Sequence, residues 1–165
     1  MATRWRVSIG VAAGVVILGM AAGLALWRYH EEPRFCSTCH IMDPYLESWQ
    51  GSDLGAHDHG QEGVDCLDCH QATVQQQVYE LVVYVRGDFT EPLHERKYSM
   101  AECFGCHEHG SYEQIIELTS DWEASVGANP HNSHFGEMEC RLCHKMHRES
   151  VDYCAQCHTH GWEVP

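Results

Sequence analysis

Cys140-Arg-Leu-Cys143-His144 and Cys154-Ala-Gln-Cys157-His158 close a series that begins with Cys36-Ser-Thr-Cys39-His40 and continues through Cys66-Leu-Asp-Cys69-His70 and Cys103-Phe-Gly-Cys106-His107. The five copies use all 10 cysteines of the chain. In C-x-x-C-H, two thiols three positions apart add to the vinyl groups of a haem, and the adjacent imidazole can bind the iron from one face. Zinc sites or disulfides would account for paired cysteines, but neither requires a histidine after every pair. The expected cofactor is therefore haem c, five times over, each covalently held.

The rest of the composition agrees. The 165 residues include 14 His, and 10 Lys plus Arg against 24 Asp plus Glu leave a net charge of −14, which excludes a polyanion binder. Residues 28–165 provide only about 28 residues per motif, too few to bury an ordinary side-chain core around five macrocycles. No alternating strand pattern is present. The expected fold is mainly α with much irregular structure, packed around haem. The clearest helix should run from Thr73 to Arg86, where Val74, Val78, Leu81, Val82 and Val85 recur at helical spacing. A second is expected from Tyr112 to Ala124, with its apolar side chains on haem faces.

The segment from Val7 to Trp27 holds 21 residues without a charge. That is long enough to span a bilayer and longer than the apolar part of a cleaved leader, so a retained anchor is expected. Arg4 and Arg6 before it are balanced by Arg28 and Arg34 after it, and the arginines do not set the orientation. Gly10 with Gly14 and Gly19 with Gly23 give two G-x-x-x-G spacings that would let helices approach closely. The chain divides into an N-terminal transmembrane anchor, residues 1–30, and a pentahaem domain, residues 31–165. The motifs resemble those of c-type cytochromes, in which haem is attached outside the cytoplasm. That resemblance implies a single-pass protein of the cytoplasmic (inner) membrane, with its N-terminus inside and its haem domain in the periplasm.

The first cysteines of the motifs are separated by 30, 37, 37 and 14 residues. The equal gaps reveal a repeat in which His57, His94 and His131 each precede the next motif by nine residues. A histidine in such a register can supply a second axial ligand, because imidazole is neutral and coordinating near pH 7. The candidate iron ligands are the motif histidines His40, His70, His107, His144 and His158, together with His57, His94, His131 and His134, with His147 in reserve. His30, His59, His109 and His160 are expected to meet solvent or haem propionates. Which distal histidine serves which motif is left to the fold.

The first motif continues as CSTCHIMDPYLESW, with Met42 two residues after His40. Together with the anchor and the second motif, VDCLDCH, this resembles the NapC/NirT/NrfH family of membrane-anchored multihaem quinol dehydrogenases. The resemblance covers roughly residues 1–90. It implies that Met42 ligates the first iron, although His40 remains the motif's own candidate. It also implies that Asp88, in YVRGDF, guards the other face beside a quinol pocket. The family's upstream lysine has no evident counterpart here, Arg86 being the nearest cation. The stretch from Asn129 to His158, with His131, His134, His144 and His147, resembles the end of the tetrahaem domain of flavocytochrome c fumarate reductases. No flavin-binding sequence accompanies it, which implies a separate flavoprotein or multihaem reductase subunit as partner.

The expected function is electron transfer from membrane quinol, through five haems, to an extracytoplasmic redox protein, with Asp88 and Met42 at the entry site. No C-x-x-C-K motif marks a stand-alone reductase. The alternative is an electron-wire subunit of a larger membrane complex without a quinone site of its own. Homo- or hetero-oligomers in the membrane fit either reading.

Overall fold

The computed structural model describes residues 2–107 and 111–165, with side chains from Ser8 onward. His109 lies outside the described residues. The described chain is helical and irregular, with no strand.

Helix α1 runs over Ala2–Glu31. Within Ser8–Glu31 an 18-residue window has a mean hydropathy of 2.3 and is not buried by the rest of the chain, so the helix is long and apolar enough to cross a membrane. The helix stops because Glu32 precedes Pro33, and the proline ring excludes helical geometry from the residue before it. Glu32 is accordingly extended, and Pro33 opens α2 (Pro33–Cys36) at the position where its missing N–H costs nothing.

A short 3-10 turn at His40–Met42 leads into α3 (Asp43–Gln50), which packs against α4 (Gly55–Gln61) as a hairpin. Trp49 lies directly over Gly60, where an added Cβ would stand 2.7 Å from its Nε1. The same Nε1 donates to the Val64 carbonyl at 3.0 Å, so the indole pins the exit of α4. The segment after the fourth motif crosses this hairpin: the Ala56 N–H donates to Met146 O at 2.9 Å, and a Cβ on Gly55 would meet Lys145 O at 3.0 Å. Residues 145–148 are also tied to Glu95, which pairs with Lys145 at 3.2 Å and Arg148 at 2.7 Å.

The second motif forms α5 (Cys66–Cys69), and α6 follows at Val74–Arg86. Thr73 and Gln76 cap each other's backbone at the start of α6, while Gly87, at φ 68°, ends it in the left-handed region that glycine tolerates. This is the expected Thr73–Arg86 helix. Helix α7 (Met100–Phe104) opens with a Ser99–Glu102 capping box and carries the third motif's first cysteine. The second expected helix is broken in two, α8 (Tyr112–Leu118) and α9 (Asp121–Val126). At Thr119 the hydroxyl donates back to Ile115 O at 2.7 Å, a bond that competes with continuation of the helix. The fourth and fifth motifs lie in 3-10 turns, Cys140–Leu142 and Tyr153–Gln156.

The polypeptide builds no continuous core. Among the described residues only Ala56, Tyr112, Ser48 and Asn129 are buried, and they belong to two separate knots, one at the α3–α4 hairpin and one beside α8. Short helices linked by irregular chain match the expected fold class.

Candidate haem-binding sites

Each motif forms a short helical turn, because a turn brings residues three and four apart onto one side, where two thiols and an imidazole can act together. The backbone bonds repeat: the motif histidine N–H donates to the first cysteine's carbonyl in the second to fifth motifs, from His70, His107, His144 and His158, at 2.8 to 3.0 Å. In the first motif the corresponding bond is made one residue earlier, Cys39 to Cys36, at 3.4 Å. All ten cysteines are free thiols.

Successive motifs adjoin through these thiols. Cys36 lies within hydrogen-bonding reach of Cys66, and Cys69, Cys103 and Cys154 each lie near a sulfur of the adjoining motif, Cys106, Cys140 and Cys143 respectively. The five sites follow one another in chain order.

The imidazoles define the geometry. His70 faces His147 with ring centroids 6.2 Å apart, His107 faces His59 at 6.0 Å, His144 faces His131 at 6.3 Å, and His158 faces His134 at 6.1 Å. Two imidazoles bound to one metal from opposite faces, at metal–nitrogen distances of about 2 Å, hold their centroids about 6 Å apart. Each pair joins one motif histidine to one histidine from elsewhere in the chain. These residues fit a six-coordinate haem iron.

The outer ring nitrogens support the same fit. His59 Nδ1–H donates to the Gly55 carbonyl at 2.6 Å. Ser48 donates its own proton to Tyr45 O at 2.8 Å, so its oxygen accepts from His147 Nδ1–H at 2.7 Å. Thr119, whose proton goes to Ile115, likewise accepts from His131 Nδ1–H at 3.1 Å. In all three the Nδ1 proton is held, which leaves the Nε2 lone pair for a metal, the arrangement that orients a ligating histidine. Among the motif histidines, His70 Nδ1 meets the Tyr98 hydroxyl at 3.0 Å and His144 Nδ1–H donates to Pro165 O at 3.3 Å. Burial lowers the pKa of His70, His131 and His147, with smaller pushes from Arg96, His144 and His70 respectively, which favours the neutral, coordinating form.

The repeat register pointed to His57 and His94, and the structure places them differently. His57 spends both nitrogens locally, Nδ1 on Trp49 O at 2.9 Å and Nε2 on Gln61 at 2.7 Å. His94 is exposed and faces no motif imidazole. His59, expected at the surface, is the residue opposite His107, and no periodicity marks it: it lies two residues past the register position, about 200° around α4. His147 stands opposite His70, from 77 residues away in the chain. His160 stacks on His158 at 5.0 Å and on Trp162 at 4.5 Å, and His30 Nε2 meets Gln77 Oε1 at 3.1 Å.

The first motif has no such pair. His40 is 88% exposed, and its Nδ1 lies 3.4 Å from Asp43 Oδ2. Met42 is half-buried in the same turn. Asp88 is exposed just past Gly87, its N–H donating to Val83 O at 3.0 Å, and no hydrogen bond or ion pair joins its carboxylate to Met42 or His40.

The comparisons with known proteins point to the same class of cofactor. The family described as Cytochrome c3 matches residues 88–159, which hold the last three motifs. The cytochrome c-type protein Cgr1 of Eggerthella lenta is 36% identical over 188 aligned residues, covering 98% of this chain and 85% of that protein. The cytochrome c-type protein NrfH of Wolinella succinogenes is 30% identical over 67 residues, 41% of this chain and 34% of that one. No solved structure matches. Similarity over nearly the whole length, on top of five attachment motifs and an apolar N-terminal helix, means that the chain belongs to the membrane multihaem c-type cytochromes of the NrfH/NapC kind, electron carriers with covalently bound haem.

Proposed function

We propose that the chain oxidises membrane quinol at its first motif and delivers the electrons, through five haem sites in chain order, to an extracytoplasmic redox protein. Haem c, when bound, supplies one-electron redox chemistry. The observation that carries the proposal is the asymmetry of the histidines: four motifs face a second imidazole at about 6 Å, and the motif next to the anchor does not. Cys36 lies five residues beyond the end of α1, a reach of at most about 18 Å, so the unpaired site stands at the membrane surface, where a quinol headgroup is accessible.

The residues then take distinct roles. His147, His59, His131 and His134 are the second ligands of the second, third, fourth and fifth sites. The held Nδ1 protons of His147, His59 and His131 fix those rings, which keeps reorganisation small. At the first site His40 and Met42 are the available ligands, with Asp43 holding the imidazole. A carboxylate such as Asp88 can accept the protons that quinol releases, if it reaches the headgroup. The N-terminus lies in the cytoplasm and the haem domain in the periplasm. The absence of a flavin-binding sequence in residues 31–165 supports a separate reductase, a flavoprotein or multihaem subunit, as acceptor.

The test is reduction of the holoprotein in lipid nanodiscs by a menaquinol analogue, followed at the haem absorption band, with dithionite as the reference. Quinol should reduce the sites, and Met42→Leu should alter the first site's spectrum and rate together. If dithionite reduces every haem but quinol reduces none, the electron-wire reading without a quinone site replaces this one.

A further inference from the structure

We propose that helix α6 lies in the lipid–water interface as a second membrane contact beside α1, and that its occupant is the phospholipid surface. The proposal rests on the reading of α1 as a membrane span.

The first observation is the face of α6. Val74, Val78, Leu81, Val82 and Val85 fall within an arc about 100° wide on a helical projection, the width of a buried stripe. They are 40% to 75% exposed. Gln77 and Tyr84, neighbours on the projection, are half-buried instead, and they lie beside the stripe and not in it. The apolar stripe therefore points away from the polypeptide.

The second observation is where α6 is fastened. Gln77, at the edge of the stripe, is held by His30 at 3.1 Å, and His30 sits at the end of α1 between the exposed Trp27 and Tyr29 and the bend at Glu32. Tryptophan and tyrosine at the end of a span mark the headgroup level. The bond to His30 thus sets the first turns of α6 at that level. Only Glu80 and Arg86 are charged in the 13 residues, so contact with lipid would come from apolar area and not from attraction to anionic headgroups. On a chain of net charge −14, that favours a zwitterionic surface over a charged one. With α6 seated this way, Asp88 at its far end stands at the lipid boundary.

The experiment places the full-length holoprotein in phosphatidylcholine nanodiscs containing a diazirine-bearing phosphatidylcholine, irradiates, and maps adducts by mass spectrometry. The expected adducts fall on α1 and on the 74/78/81/82/85 face of α6, not on Gln76 or Glu80, and persist in high salt. Val78→Glu with Val85→Glu should lower α6 labelling by about a hundredfold while α1 labelling stays, each apolar side chain lost from lipid being worth roughly one power of ten. Gln76→Glu, on the opposite face, should label as wild type. The haem spectrum reports whether each variant is correctly assembled. Labelled α1 with unlabelled α6 overturns the proposal, as does an α6 that cross-links instead to a second copy or to a partner protein. Absence of label from α1 itself would overturn the anchor reading first, a separate failure.

Discussion

The first motif and the four that follow it use the same five-residue pattern in two different ways. At His70, His107, His144 and His158 the fold spends a second histidine, and in three of the four the opposing ring's Nδ1 proton is fixed by a carbonyl or a hydroxyl. At His40 it spends none, and the ring stands exposed beside Asp43. An imidazole pair saturates an iron and suits a site that only passes electrons, whereas a site meeting a substrate must leave one face accessible. Under the proposed function, the difference separates the conducting part of the chain from the part that exchanges electrons with quinol.

The contrast can be broken at its strongest point by removing the opposing rings. His59→Ala, His131→Ala, His134→Ala and His147→Ala should each turn one low-spin haem high-spin in the EPR or magnetic circular dichroism spectrum, while the intact mass still shows the polypeptide plus five haems. His57→Ala and His94→Ala should leave the spectrum as it is. If His57→Ala were the variant that lost a low-spin centre, the pairing at α4 would be wrong and the 37-residue register right.

Quinol kinetics probe the other side of the comparison. Asp88→Asn keeps the shape and removes the base, so quinol-driven reduction should slow by about a hundredfold, with dithionite reduction still complete. A rate equal to wild type would remove Asp88 from the entry site.

The frame behind the paired sites is testable by stability. Gly60→Ala brings a Cβ to 2.7 Å from Trp49 Nε1, so it should lower the stability of the holoprotein by about 1–3 kcal/mol in denaturant titration. Because α4 carries His59, the third site's spectrum should broaden first. The smallest effect is expected from Ser48→Ala, which deprives His147 Nδ1–H of its acceptor. A less electron-rich imidazole stabilises the ferric state less, and the second site's potential should rise by a few tens of millivolts, a tenfold change in relative affinity corresponding to about 59 mV for one electron. An unchanged potential would mean that the serine only packs.

What was legible in the sequence is what depends on neighbours along the chain. The attachment motifs could be read because thioether chemistry needs two thiols and an imidazole at spacings that a single helical turn supplies. The anchor could be read because 21 consecutive uncharged residues have one good solvent, and α6 because its valines keep helical period between a Thr73 cap and a Gly87 stop. Of the rings opposite the motif histidines, the sequence singled out His131 and His134 and held His147 in reserve, but it did not mark His59 or say which ring faces which motif. His70 and His147 meet only because residues 145–148 cross the α3–α4 hairpin and are fastened there by Ala56 and Glu95, contacts that no local pattern encodes. Two residues apart on a helix, His57 and His59 leave it on opposite sides, and Trp49 and Gln61 take up both ring nitrogens of the one that the repeat had singled out. Covalent chemistry at short range was written in the order of residues, and which distant histidines approach one another was decided by which stretches of irregular chain the hairpin could hold together.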